Sequence, residues 1–146
     1  ETIHAATDLL AEAKLSPELR NEALYYRAKA YTKQKADKKA MEDYRELAKD
    51  TRNPYGAEAK YQVAQSLYDA KEYAAAEKEL LNYIEQSTPH AYWLARSFVL
   101  LSDVYHATGK DLDARQYLLS LQQNYQGNDD IESMIESRLS KLKVEN

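Results

Sequence analysis

Residues 54–88 read PYGAEAKYQVAQSLYDAKEYAAAEKELLNYIEQST, and the spacing of small and large residues within them decides the fold. Ala64 precedes Leu67 by three positions, Ala76 follows Ala64 by twelve, and Leu80 comes four later. Three and four residues are the intervals at which side chains share one face of an α-helix. Two amphipathic helices therefore fit this stretch, small residues letting them approach and large ones filling the adjoining gaps. Asn53-Pro54 opens it. An Asn side chain accepts a hydrogen bond from an orphan amide at a helix start, and Pro in the first helical position has no N–H to leave unpaired.

The same offsets recur on either side. Ala28, Tyr31, Ala40 and Tyr44 repeat them upstream, and Ser102, Tyr105, Ala114 and Leu118 downstream. The other two prolines behave alike: Ser16-Pro17 and Thr88-Pro89 give spacings of 37 and 35 residues about Pro54, and each predicts a helix N-terminus with Pro as its first residue. A fourth start is predicted near Asn128-Asp129-Asp130, where two acidic residues suit the positive end of a helix dipole. A period of 35 to 38 residues points to a helical repeat array.

These residues resemble the tetratricopeptide repeat family, whose units carry small and large residues at the same offsets and a Pro at the unit boundary. The match runs through Ala28, Tyr31, Ala40, Tyr44 and Pro54; through Ala64, Leu67, Ala76, Leu80 and Pro89; and through Ser102, Tyr105, Ala114 and Leu118, with Gly109 at the turn between helices. It covers about residues 21–125. The Trp expected early in each unit is missing, and the units run slightly long. The resemblance implies an all-α, right-handed α-solenoid of antiparallel helix pairs with about eight helices. Residues 1–15, with Ile3, Ala6, Leu9, Leu10 and Ala13 on one stripe, are expected to form the second helix of a truncated repeat. Repeats then occupy 17–53, 54–88 and 89–127. Residues 128–146, with Ile131, Met134, Ile135, Leu139 and Leu142, are expected to close the array with a polar-backed helix.

In such arrays the first helix of each pair lines a concave groove. The positions that face it fall here on Glu22, Tyr25, Lys29, Thr32 and Lys33; on Glu58, Tyr61, Gln65, Tyr68 and Asp69; and on Arg96, Val99, Asp103, His106 and Ala107. Helical spacing supports this separately, since 25, 29 and 32, like 61, 65 and 68, share a face. Tyr25, Lys29, Lys33, Tyr61, Gln65, Tyr68, Asp69, Asp103 and His106 are the candidate peptide-binding set, rings supplying contact area and Lys and Gln satisfying a peptide's polar groups. The family's carboxylate clamp is not matched, so a chaperone-tail ligand is not expected. Tyr31, Tyr44, Tyr83, Tyr105 and Tyr117 fall on or near the packing stripes and are expected to fill the core.

Composition narrows the function. The 146 residues are 44% hydrophobic and 30% charged, enough for one soluble domain with a core. Three Gly and three Pro are too few for the turns of an all-β chain. Cysteine is absent, which removes disulfides, thiolate metal sites and cysteine nucleophiles. A net charge of −4 gives no basic field for nucleic acid, and no run of 18 apolar residues is present to enter a bilayer. Lys33 to Lys39 form one basic cluster, read as a solvated turn. Asp103 and His106 stand one helical turn apart, but two ligands are too few for a metal site. The three glycines are isolated, so no phosphate loop is present.

The expectation is a non-catalytic scaffold without cofactor or metal, part of a larger chain and binding a protein or peptide in its groove. The alternative is a structural spacer or self-association module, with the apolar face of the N-terminal helix as one place for self-association. Tyrosine-rich, long repeats are also similar to those of bacterial envelope proteins of the Tol–Pal-associated and outer-membrane-assembly groups. That similarity favours the periplasm over the cytoplasm.

Overall fold

A computed structural model describes residues 2–12 and 14–142. Ala13 and residues 143–146, which the sequence assigns to the first and last helices, lie outside the described residues. The described residues form eight helices and no strand: α1 (Thr2–Leu10), α2 (Pro17–Lys33), α3 (Asp37–Leu47), α4 (Pro54–Asp69), α5 (Tyr73–Glu85), α6 (Ala91–Ala107), α7 (Asp111–Asn124) and α8 (Ile131–Leu139). No helix among them is long and apolar enough to cross a membrane. The chain divides into two compact units, Glu1–Val63 and Ala64–Asn146, with the boundary inside α4.

Two of the three proline starts are as the sequence predicts. Ser16 accepts a hydrogen bond from the Leu19 N–H, with Pro17 the first residue of α2. Asn53 Oδ1 accepts from the Gly56 N–H at 2.8 Å, and its Nδ2 donates to the Asp50 carbonyl. The third differs. The Thr88 hydroxyl accepts from the His90 N–H only two residues on, so Thr88-Pro89 forms a local turn and α6 begins at Ala91, two residues beyond Pro89. At the fourth, Asp129 Oδ1 accepts from the Ile131 N–H, the first residue of α8. The N-terminal helix is also shorter than its apolar stripe, ending at Leu10 and not near residue 15. Ser16 is extended where it caps α2 (φ −67°, ψ 152°), as the residue before Pro prefers.

Helices α3, α5 and α7 start without a side-chain cap, and the turn before each does that work. Lys35, Lys71 and Gly109 adopt left-handed backbone (φ 62°, 63° and 79°) at spacings of 36 and 38 residues. The next residue in each case, Ala36, Glu72 or Lys110, has φ between −89° and −108° and ψ between 61° and 68°. Its N–H donates back to the carbonyl of Tyr31, Leu67 or Tyr105 at 2.8, 2.9 and 2.8 Å. Its own carbonyl accepts from the N–H of Ala40, Ala76 or Ala114 at 3.0, 2.9 and 3.1 Å. This is the Schellman closure, with its last residue doubling as the cap of the following helix. The three alanines are those of the sequence pattern, and all are buried.

In the first unit α2 packs between α1 and α3. Arg27 and Asp43 lie eight residues either side of Lys35 and form a bidentate pair (Nε–Oδ2 2.8 Å, Nη2–Oδ1 2.6 Å), as an antiparallel hairpin requires. Arg27 Nη1 also donates to Thr7 on α1. Leu24 and Ala28 on α2 and Tyr44 and Leu47 on α3 are buried. In the second unit α6 packs against α5, α7 and α8. Ala95, Val99, Leu118 and Leu121 form one buried cluster with Ile131 and Ile135, so α8 packs its apolar stripe against α6 and α7. The Tyr105 hydroxyl ties α6 to Glu77 on α5 at 2.9 Å.

Candidate functional site

The candidate face of the first unit is built on α2. The Tyr25 ring lies 4.6 Å from that of Tyr55 and 5.3 Å from that of Tyr26. The Tyr25 hydroxyl donates to Glu58 Oε1 at 2.9 Å, and Lys29 Nζ approaches Glu58 Oε2 at 3.2 Å while standing 5.1 Å from the Tyr25 ring centroid. Glu58 is buried, so its carboxylate survives there by being paired. Burial works against the Lys29 charge, but the Tyr25 hydroxyl and the Glu58 carboxylate outweigh it and hold its pKa above the ordinary value. Burial likewise raises the Tyr25 hydroxyl, with Lys29 opposing and Glu58 adding. Tyr25 and Lys29 are thus held in place by a buried acid. Lys33, two turns beyond Tyr26, is exposed and enters no ion pair among the described residues.

Tyr61 does not belong with them. It is 6% exposed, on the stripe it shares with Ala57 and Ala64, each 0% exposed. Residues 56–61 are all buried, so the first half of α4 is enclosed around its circumference and offers a ligand nothing.

In the second unit Gln65 donates to Asp69 Oδ1 at 2.9 Å along α4. Tyr68 is half-buried with its ring 5.6 Å from Tyr73, and its hydroxyl is raised by burial first and by the Asp103 charge second. Asp103 accepts from Arg138 Nε and Nη2 at 3.2 and 3.3 Å, and Val99 lies in the core beneath Ile131 and Ile135. Helix α8 therefore covers the part of α6 that was expected to face a groove. His106 Nδ1 sits 2.8 Å from Asp111 Oδ1 at the start of α7. Asp103 and His106 thus turn to different partners.

An apolar slot of about 230 Å³ opens between α6 and α7, lined by Ala91, Leu94, Phe98, Leu121 and Tyr125. Its size suits one bulky side chain of a bound segment. Sequence reading passed over this slot and Tyr26. The signal for Tyr26 was present in the 3-4 spacing of Leu19, Glu22, Tyr26, Lys29 and Lys33; no comparable signal marked the slot, because it depends on how two helices diverge.

Comparison with protein-family models, with curated proteins and with solved structures finds no match to this chain.

Proposed function

We propose that this chain forms a right-handed α-solenoid of the tetratricopeptide type, a non-catalytic scaffold that holds a peptide or protein segment. The observation that carries the reading is the turn repeated at Lys35, Lys71 and Gly109, with the same two backbone hydrogen bonds and the same buried alanine each time. Identical helix–turn–helix units at a regular period are the building rule of such arrays, and their common use is to present helix faces to an extended partner. The surfaces left for that partner are Tyr25, Lys29 and Lys33 in the first unit, and Gln65, Tyr68, Asp69 and the α6–α7 slot in the second.

A spacer without ligand is the second reading, and a specific observation favours it. Lys29, Asp103, His106 and Gln65 already spend polar atoms on neighbours within the fold. Selection of displayed random peptides against the wild-type chain and a Gln65→Ala/Tyr68→Ala variant separates the two. The scaffold reading expects a peptide family that binds the wild type and loses at least about tenfold in affinity for the variant, whose helical content and melting are unchanged. If selection yields no family sensitive to the variant, the spacer reading stands.

A further inference from the structure

We infer that the outward face of α2 pairs with the α2 of a second copy of this chain, antiparallel and about Tyr26. Leu19, Glu22, Tyr26, Lys29 and Lys33 follow one another at intervals of three, four, three and four, the spacing of a helix seam that meets another helix. All five are exposed. Leu19 is 47% and Tyr26 50% exposed, two of the three exposed large apolar residues among those described; the third, Leu112, is on α7. Two such residues on one stripe of one helix make a patch, where a single one would need no explanation.

Charge selects the occupant. Glu22 on the stripe and Glu18 beside it lie toward the start of α2, and Lys29 and Lys33 toward its end. Glu18, Glu22 and Lys33 enter no ion pair among the described residues. An acidic peptide would match the lysines and be repelled by the glutamates. A second α2 running antiparallel matches both: Glu22 faces Lys29 of the other copy, Glu18 and Leu19 face its Lys33, and the two Tyr26 rings meet on the two-fold axis. The parallel arrangement would set like charges against each other. Lys29 already bonds Glu58, but an ammonium has three donors and Lys29 is half exposed, so it serves a second carboxylate. A 17-residue helix is about 25 Å long, and one helix pair buries an area at the low end of specific interfaces, so the dimer is weak and salt-sensitive. The surface shares Lys29 and Lys33 with the peptide face proposed above, so the two occupants exclude each other there.

The chain contains no cysteine, which makes the test direct. A Tyr26→Cys variant places one thiol at the two-fold axis, and mild oxidation is expected to convert it to a disulfide dimer. Leu112→Cys, equally exposed on another helix, stays monomeric. Adding Glu22→Lys to Tyr26→Cys slows the cross-link about tenfold. Mixing a Glu18→Lys chain with a Lys33→Glu chain, both carrying Tyr26→Cys, restores it as a heterodimer, with Lys29 left in place against Glu58. Equal cross-linking through Tyr26→Cys and Leu112→Cys overturns the inference, as does a charge-swapped mixture that reacts no faster than the Glu18→Lys chain alone. It is also overturned if a poly-glutamate peptide saturates the α2 face of a chain that sedimentation velocity shows to be monomeric at the highest attainable concentration. Failure of the cross-link leaves the peptide reading to its own variant at Gln65 and Tyr68, whereas saturation by poly-glutamate favours a peptide on α2 over a second copy.

Discussion

Gly56 shows how much one atom decides. A Cβ at this position would stand 1.8 Å from the Asp50 carbonyl oxygen and 2.7 Å from that of Leu47, both rigid backbone at the end of α3. Gly56→Ala is therefore expected to lower stability by about 3 kcal/mol, read as a shift in the urea midpoint, because α4 must move away from the turn before it. In the sequence Gly56 is merely an isolated glycine in a helix's first turn, and nothing near it announces the close approach. Tyr61 was hidden differently. Two stripes pass through it, one with Gln65 and Tyr68 and one with Ala57 and Ala64, and periodicity alone permits either. The alanines point inward, and Tyr61 goes with them. Asp103 was lost to the candidate site for a third reason: its partner Arg138 lies 35 residues away, a pairing that only packing reveals.

Among the elements, sequence and structure agree where a local signal exists. Ser16-Pro17 and Asn53-Pro54 start helices because their side chains and missing N–H act within three residues. The small–large offsets were legible as well, since Ala28, Ala40, Ala64, Ala76 and Ala114 are all buried. The starts of α3 and α5 have no such signal, because backbone geometry alone makes them; before α7 Gly109 supplies one. That geometry is expensive at two of the three turns, where a lysine occupies the left-handed region that glycine enters freely. Replacing Lys71 by Gly is expected to stabilise the chain by about 1 kcal/mol, raising Tm by about 3 °C. Gly109→Ala is expected to lower it by a similar amount, since a Cβ there has open space around it but the wrong backbone. Thermal melts followed by circular dichroism check both, and equal behaviour of the two variants would refute the account of the turn.

For the molecule as a whole, buried tyrosines set the alkaline limit. Burial pushes the Tyr83 hydroxyl up to about 12, with Thr88 offsetting a little, and it raises Tyr44 as well. Tyr105 is raised strongly, first by burial and then by the Glu77 carboxylate that accepts its hydrogen bond. A raised pKa in the folded chain means stability that is complete below the ordinary tyrosine value near 10 and is lost as pH climbs through the folded values. Urea midpoints are expected to hold to about pH 10 and to fall steeply by about pH 12. Tyrosinate absorbance should rise together with loss of helix; ionisation of every tyrosine before any loss of helix would contradict the burial described.

Ala36, Glu72 and Lys110 each finish one helix and begin the next with the same peptide unit. The joint has no slack. A residue added there would turn the following helix by about 100° about its own axis and carry its alanine away from the partner that Ala40, Ala76 or Ala114 now meets. Insertions belong elsewhere in this chain, and these three elbows set the phase of the helices that leave them.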